Sequence, residues 1–306
     1  MGVADVLNAK TGNMETEIDN GTLINKQYST HDTAQINFKP NFTPIINPEI
    51  PKQYSIVFNE NNDSKNLNSN LIFVKNRRDI ELFLLCLGDE ASVIMDEQAR
   101  EEHPDIWNWL FNHTYSDVFT DLKWSYREEI EVLDIIQRIP LPKLLKPCLT
   151  SYEEPKTGLI DKKYVHKLHH DCVLISNPFQ CGNIFYFNGF VKSSEFNIDH
   201  YSDHLEGIVI FEVARQAGIA SVHLAGLPLT GTITILKVYN HYTKFIQSSE
   251  PYLIRVIPVI KQRGGYSYGV YNIIQNGKSC VLGYFTGMVY KSKESYKKFR
   301  HSRFID

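Results

Sequence analysis

The second half of the chain is dominated by long segments rich in β-branched and aromatic residues, the composition typical of strands. Four such segments follow one another from residue 230 to residue 292, with the turn-forming pairs Gly264-Gly265 and Asn276-Gly277 between them. Two earlier segments, 164–176 and 183–193, predict two more strands. The hydrophobic pattern therefore predicts a sheet of about six strands.

The segment between the second and third predicted strands has a different pattern. From residue 207 to residue 222, apolar side chains occupy nearly every direction around a helical axis, which is typical of a helix covered on most sides. Gly226 predicts its end. Two strands, one buried helix and four further strands form an α+β domain in which a curved sheet encloses the helix. This description fits a hotdog fold, which we place at residues 160–295.

The first half of the chain predicts a different organisation. Residues 1–68 are rich in Asn, Thr and Pro and predict a tail or loops, with one isolated strand at Gln53–Phe58. Residues 69–150 show helical spacing, over 77–102, 104–124 and 128–139, and predict a mainly helical region. A Pro-rich, polar stretch then predicts a linker before the sheet.

Composition and charge narrow the functional class. A net charge of −3 does not suggest nucleic-acid binding. The longest apolar runs are too short to span a bilayer, and no secretory signal opens the chain. The five cysteines include no CxxC pair, so neither a zinc site nor a disulfide framework is indicated. We predict a cytoplasmic protein without a cofactor or metal.

The predicted buried helix carries three polar residues on one face. Glu212, Arg215 and Gln216 stand at i, i+3 and i+4, and His223 extends the same stripe. An unpaired carboxylate in a core is strongly destabilising, so the stripe needs a partner or a purpose. One interpretation is an internal pair of Glu212 with Arg215 or Gln216. The other is the wall of a substrate cavity, and the pattern alone leaves both open.

A second polar cluster precedes this helix. Asp199, His200, Asp203 and His204 lie on the predicted strand-to-helix loop, where backbone N–H groups favour a carbonyl or phosphate oxygen. We expect Asp203 to cap the helix, in a partial capping box with Glu206. A histidine beside an aspartate can transfer protons near neutral pH. The spacing of these residues matches no standard metal site.

At these residues the sequence resembles the A-factor biosynthesis (AfsA-like) hotdog family. That family has a stretch that reads approximately D-H-x-x-D-H-x-x-G-M-V-L-L-E-A-A-R-Q-A, and the segment 165–176 is similar to the family's V-H-K/R opening. The helix more distantly resembles that of hydroxyacyl-carrier-protein dehydratases. The matching positions of the longer motif are Asp199, His200, Asp203, His204, Gly207, Val209, Glu212, Ala214, Arg215, Gln216 and Ala217.

The resemblance implies acyl-thioester chemistry. It implies transfer of a β-ketoacyl group from acyl carrier protein or coenzyme A to a small hydroxyl acceptor, with Glu212 or His200 as the base. Backbone N–H groups near Gly207 would hold the thioester oxygen, and Arg215 would orient Glu212 or meet an anionic substrate. Asp203, His204, Gln216 and His223 complete the predicted site. Arg255, Lys261 and Arg263 are predicted phosphate contacts. A dehydratase, a thioesterase and a non-catalytic hotdog remain alternatives.

The chain departs from the family pattern in its first half. Family members commonly carry two such domains in tandem, and residues 1–147 show no second copy of the motif. One hotdog rarely closes its own cavity, so we predict a homodimer with a continuous sheet. A degenerate first repeat is the alternative. The basic segment 291–304 is a further prediction, either a contact for an acidic carrier protein or a solvated C-terminus.

Overall fold

The computed structural model describes residues 53–58, 70–112, 128–143, 145, 158–190, 203–260 and 266–303. The C-terminal half is a six-stranded antiparallel sheet wrapped around one long helix, as the hydrophobic pattern predicts. The hotdog fold is thereby confirmed. Its elements are β4 (Phe179–Cys181), β5 (Ile184–Gly189), α5 (Gly207–Leu224), β6 (Thr232–Tyr242), β7 (Tyr252–Ile260), β8 (Tyr266–Gln275), β9 (Lys278–Tyr290) and α6 (Lys293–Arg303).

The strand order in this sheet is β4-β5-β7-β8-β9-β6. The strand that follows the helix, β6, therefore lies at one edge, where it pairs only with β9. The β8–β9 turn has φ of 51° at Asn276 and 69° at Gly277, the positive values that favour Asn-Gly in a two-residue hairpin. The four long strands and β5 are confirmed.

Helix α5 begins later than predicted and ends as predicted. Glu206 is its N-cap, with no side-chain cap, and the Asp203 side chain bonds to His204 instead. The capping role predicted for Asp203 is therefore wrong, because the preceding backbone pairs with residues 246–248 before the helix starts. At the other end, the N–H groups of Gly226 and Leu227 return to the carbonyls of His223 and Val222, a Schellman motif.

The strand predicted over residues 164–176 is wrong. This segment contains two 3₁₀ turns, Lys162–Val165 and His170–Cys172, before short bridges at Ile175 and Ser176. Most of its apolar side chains are buried, although Leu168 is 83% exposed. Its backbone hydrogen bonds are used within the turns, by helix α5 and by the end of β5. The N–H of Leu174, for example, donates to the side chain of Gln216.

The N-terminal region combines helices with a three-stranded parallel sheet that the sequence analysis missed. The strand predicted to be isolated is the central one, in the order β2-β1-β3. The helical pattern over 77–102 is broken by a 3₁₀ turn and by β3. The elements are β1 (Tyr54–Phe58), β2 (Leu71–Val74), α1 (Arg77–Leu87), β3 (Ala91–Ile94), α2 (Glu97–Glu102), α3 (Pro104–Asn112) and α4 (Glu128–Arg138).

The hotdog sheet has a core on each of its faces. The inner face packs on helix α5 through residues such as Phe187 and Ile254. The outer face, including Tyr186 and Ile257, shares one core with the N-terminal strands and helices. The N-terminal region therefore covers the outer face of the sheet, and the edge strand β6 consists of half-buried and exposed residues.

Helix α5 is the one helix of the described residues that is long and apolar enough to cross a membrane, and 72% of it is buried inside the fold. It owes this composition to its place inside the sheet. Four cysteines, Cys86, Cys172, Cys181 and Cys280, are buried free thiols, and Cys148 lies outside the described residues.

Candidate functional site

The polar stripe of helix α5 forms a compact ion cluster. Arg215 donates two hydrogen bonds to the Glu212 carboxylate, from Nε to Oε2 at 2.6 Å and from Nη2 to Oε1 at 2.7 Å. The Gln216 amide donates to the same Oε1 at 3.0 Å, and the Lys167 ammonium lies 3.1 Å from it. Two cations surround one carboxylate, so the cluster carries a net charge of about +1 at neutral pH.

The fourth member of this cluster was missed by the sequence analysis. Lys167 belongs to the segment after the first 3₁₀ turn, and its side chain is only 13% exposed. The signal was present in the V-H-K motif that carries part of the family resemblance. Gln216 also binds this segment, at a buried position. Its amide oxygen accepts from the Leu174 N–H at 2.9 Å, and its amide nitrogen donates to the Cys172 carbonyl at 3.0 Å.

The cluster fixes the charge state of Glu212. Burial alone would raise the pKa of this carboxyl group, but hydrogen bonds from Arg215 and Gln216, with the positive charges of Arg215 and Lys167, outweigh burial and lower it. Glu212 is therefore a carboxylate at neutral pH, and a weak base. The internal pair that we considered from the sequence is present.

Two histidines continue the stripe. Nδ1 of His223 lies 3.0 Å from the Leu227 carbonyl, so Nδ1 carries the proton and Nε2 of a neutral ring accepts. Nε2 of His166 lies 2.8 Å from that Nε2 and must be the donor. Burial, the neighbouring His223 and the charges of Arg215 and Lys293 lower the pKa of His166 to about 4. Burial also lowers the pKa of His223.

A groove lies beside the ion cluster, between helix α5 and the inner face of the sheet. It has a cavity volume of about 40 Å³, enough for about three water-sized groups. Gly218, Ile219 and Val222 line the helix side, and Gly269 and Phe285 line the sheet side. Arg215 also lines it. This arginine is therefore the residue at which the charged cluster and the apolar groove meet.

The loop residues predicted for the site lie apart from the cluster or outside the described residues. The Asp203 side chain is 89% exposed and hydrogen bonds His204 at 2.9 Å. The His204 ring also packs on Phe245, with ring centroids 5.0 Å apart. Gly207 opens helix α5 near the Tyr242 hydroxyl. Their predicted roles in substrate binding stay predictions.

Of the predicted phosphate contacts, only Arg255 lies within the described residues. It is 3% exposed, and its Nη1 donates to the Ile139 carbonyl under the N-terminal region. A phosphate contact there is wrong, because the side chain points to the covered outer face of the sheet. Asp199, His200, Lys261 and Arg263 are outside the described residues.

The sheet, the enclosed helix and the position of β6 define a hotdog-fold protein. The A-factor biosynthesis hotdog domain (AfsA) matches residues 150–291, which contain the ion cluster and the groove. Residues 150–291 are therefore similar to the A-factor biosynthesis hotdog domain, in agreement with the motif in the sequence.

Three solved structures illustrate the fold similarity. A thioesterase from Haemophilus influenzae is 16% identical, covering 48% of this chain and 87% of its own, with a TM-score of 0.32. A hypothetical thioesterase with coenzyme A from Streptococcus pneumoniae is 20% identical over 35% and 78%, with a TM-score of 0.28. A thioesterase mutant from Pseudomonas aeruginosa is 14% identical over 38% and 81%, with a TM-score of 0.32. No curated protein matches the chain.

Proposed function

We propose that this protein binds an acyl thioester in the groove beside Arg215 and transfers the acyl group to a hydroxyl acceptor. The observation that carries the proposal is the position of Arg215 between a positively charged cluster and an apolar groove, in a domain similar to the A-factor biosynthesis hotdog domain. The groove would take the acyl chain. The guanidinium would face the carbonyl oxygen, where negative charge develops during transfer.

In this mechanism the acceptor oxygen attacks the thioester carbon. A carbon–oxygen bond forms, the carbon–sulfur bond breaks, and the hydroxyl proton ends on the departing thiol. Glu212 holds Arg215 in place through two hydrogen bonds. Because its pKa is lowered, Glu212 suits positioning better than proton abstraction. We keep His200 as the proposed base.

The carrier of the thioester is part of the same proposal. Helix α6 presents Lys293, Lys297 and Arg300 at i, i+4 and i+7, exposed and on one face. The charge of Lys293 acts on His166, so this basic face begins beside the candidate site. An acidic acyl carrier protein would complement it. We propose a cytoplasmic homodimer, with the β6 edges of two copies joined.

The test measures turnover of acyl thioesters of several chain lengths, on carrier protein and on coenzyme A, with and without an alcohol acceptor. We expect product only with the acceptor. Arg215→Met should lower kcat/KM by about a hundredfold, the scale of one oxyanion-stabilising group. Arg78→Met, in a surface ion pair of the N-terminal region, is the matched control. Release of free acid without acceptor would instead identify a thioesterase, and loss of water a dehydratase.

A second candidate is a hotdog that binds an acyl ligand without converting it. The full engagement of Glu212 by three partners favours this alternative, because no acidic or basic group in the described cluster is free to act. Native mass spectrometry separates the two. A bound acyl thioester that persists unchanged, in the presence of every acceptor tried, would support the binding protein.

A further inference from the structure

A row of polar residues crosses the outer face of the hotdog sheet, under the N-terminal region. Tyr186 on β5 pairs in register with Arg255 on β7, and Arg255 pairs with Asn272 on β8. Directly opposed residues of antiparallel strands share a face, with Cβ atoms about 5 Å apart. Their exposed fractions are 1%, 3% and 0%, so the row is sealed from solvent.

Two of these residues have a buried donor without a hydrogen-bond partner among the described residues, Nε of Arg255 and Nδ2 of Asn272. The Tyr186 hydroxyl lies beside them and interacts with the Arg255 guanidinium and with Tyr54. Oδ1 of Asn272 already accepts from Ser279 at 3.1 Å, which identifies the unsatisfied end as the amide donor. Both Nε of Arg255 and Nδ2 of Asn272 can only donate.

The groups that surround Arg255 do not neutralise it. Its Nη1 donates to the Ile139 carbonyl, just after the C-terminus of helix α4, where the helix dipole is negative. Tyr186 forms a side-chain hydrogen bond with it, and Tyr54 and Cys86 also act on its charge. The Tyr54 hydroxyl is itself used to donate to the Pro140 carbonyl. A buried cation thus lies beside two neutral donors, with no carboxylate among the described groups acting on its charge.

We propose that the Tyr186–Arg255–Asn272 row binds one small monovalent anion between the hotdog sheet and the N-terminal region. A guanidinium in a sealed site is stable only when its charge is compensated and its donors are satisfied. A halide suits the site because it accepts from several donors without a directional preference. The site is separate from the Glu212 cluster, which lies on the opposite face of the sheet.

The direct test is the structure of the full chain crystallised in bromide. We expect an anomalous bromide peak within hydrogen-bonding distance of Nε of Arg255 and Nδ2 of Asn272. A water molecule, or no density, at that place in a bromide-containing crystal would overturn the proposal. The result needs no variant and does not depend on the acyl-transfer proposal.

Stability in different anions is the independent test. At chloride about 100-fold above the dissociation constant, the unfolding temperature should lie about 5–10 °C above that in gluconate of equal ionic strength. Asn272→Leu keeps Arg255 in place and should reduce this difference by more than half. Arg78→Met, in an exposed ion pair, should leave it unchanged. Equal unfolding temperatures in both salts for the unmodified chain would contradict the proposal.

Discussion

At the scale of single residues, the candidate site was only half visible in the sequence. The spacing of Glu212, Arg215 and Gln216 predicts that they share a face, because residues three and four apart on a helix are neighbours. Lys167 could not be placed in this way, since its contact depends on how a distant segment folds back onto the helix. The spacing of residues in the sequence predicts side-chain contacts within one helix. Contacts between elements are seen only in the tertiary structure.

Replacing Lys167 by Met tests whether this distant partner stabilises the cluster. We expect the free energy of unfolding to fall by about 1–2 kcal/mol, because Glu212 loses a charged partner but keeps Arg215 and Gln216. Urea unfolding measures the change. Lys163→Met, at an exposed position of the same segment, should have almost no effect. Equal stabilities of the two variants would show that the Lys167 contact contributes nothing.

The histidine pair gives the fold a dependence on pH. His166 has a pKa of about 4 in the folded protein and an ordinary value near 6.5 when unfolded. Between these values the unfolded chain binds more protons, so the folded state loses stability as pH falls from about 6.5 to about 4. We expect a loss of about 1 kcal/mol, because the partly exposed ring is screened.

Unfolding curves of the parent protein and of His166→Gln, recorded across that pH range, measure this contribution. The variant should lose less stability than the parent between pH 6.5 and pH 4. Parallel curves for the two proteins would mean that the pair does not titrate as described.

At the scale of elements, long regular segments were predictable and irregular ones were not. Helix α5 and the strands from β6 to β9 have enough residues for their hydrophobic period to be clear. The segment 164–176 resembles a strand because it ends in a run of apolar residues, 172–175, which are buried. Its backbone groups, however, form hydrogen bonds within turns and with Gln216. Burial of side chains in this segment is therefore not evidence of strand pairing.

This dependence predicts the effect of Gln216→Leu. The substitution removes the side-chain acceptor of the Leu174 N–H in a buried place and one hydrogen bond to the Cys172 carbonyl, so the free energy of unfolding should fall by about 2–4 kcal/mol. Circular dichroism during thermal unfolding measures it. Ser295→Leu, on the exposed helix α6, is a polar-to-apolar control expected to be neutral. A neutral Gln216→Leu would mean that water replaces the amide.

At the scale of the whole molecule, the two halves of the chain form one structure. Strand β1 lies inside the segment predicted as a tail, and its side chains join the core that covers the outer face of the sheet. The sequence could not show this contact, because parallel strands pair over long chain separations. The boundaries at 1–68, 69–150 and 160–295 therefore remain a proposed division of the chain.

Removing the N-terminal region should have a large effect. A chain that begins at residue 158 would expose an apolar outer face that includes Ile257, Val259 and Val270, and we expect it to aggregate. Size-exclusion chromatography of the truncated and full chains compares them. A truncated chain that does not aggregate and that unfolds cooperatively would show that the hotdog domain is stable without the N-terminal region.

The two borders of the hotdog sheet differ greatly in length. One edge strand, β6, has eleven residues, and the other, β4, has three. If two copies join along β6, only the β4 strands remain as free edges of the combined sheet. Three residues form too few backbone hydrogen bonds to pair stably with another chain. Such an assembly ends as a dimer, so the unequal lengths of the two edge strands would protect the protein from forming fibres.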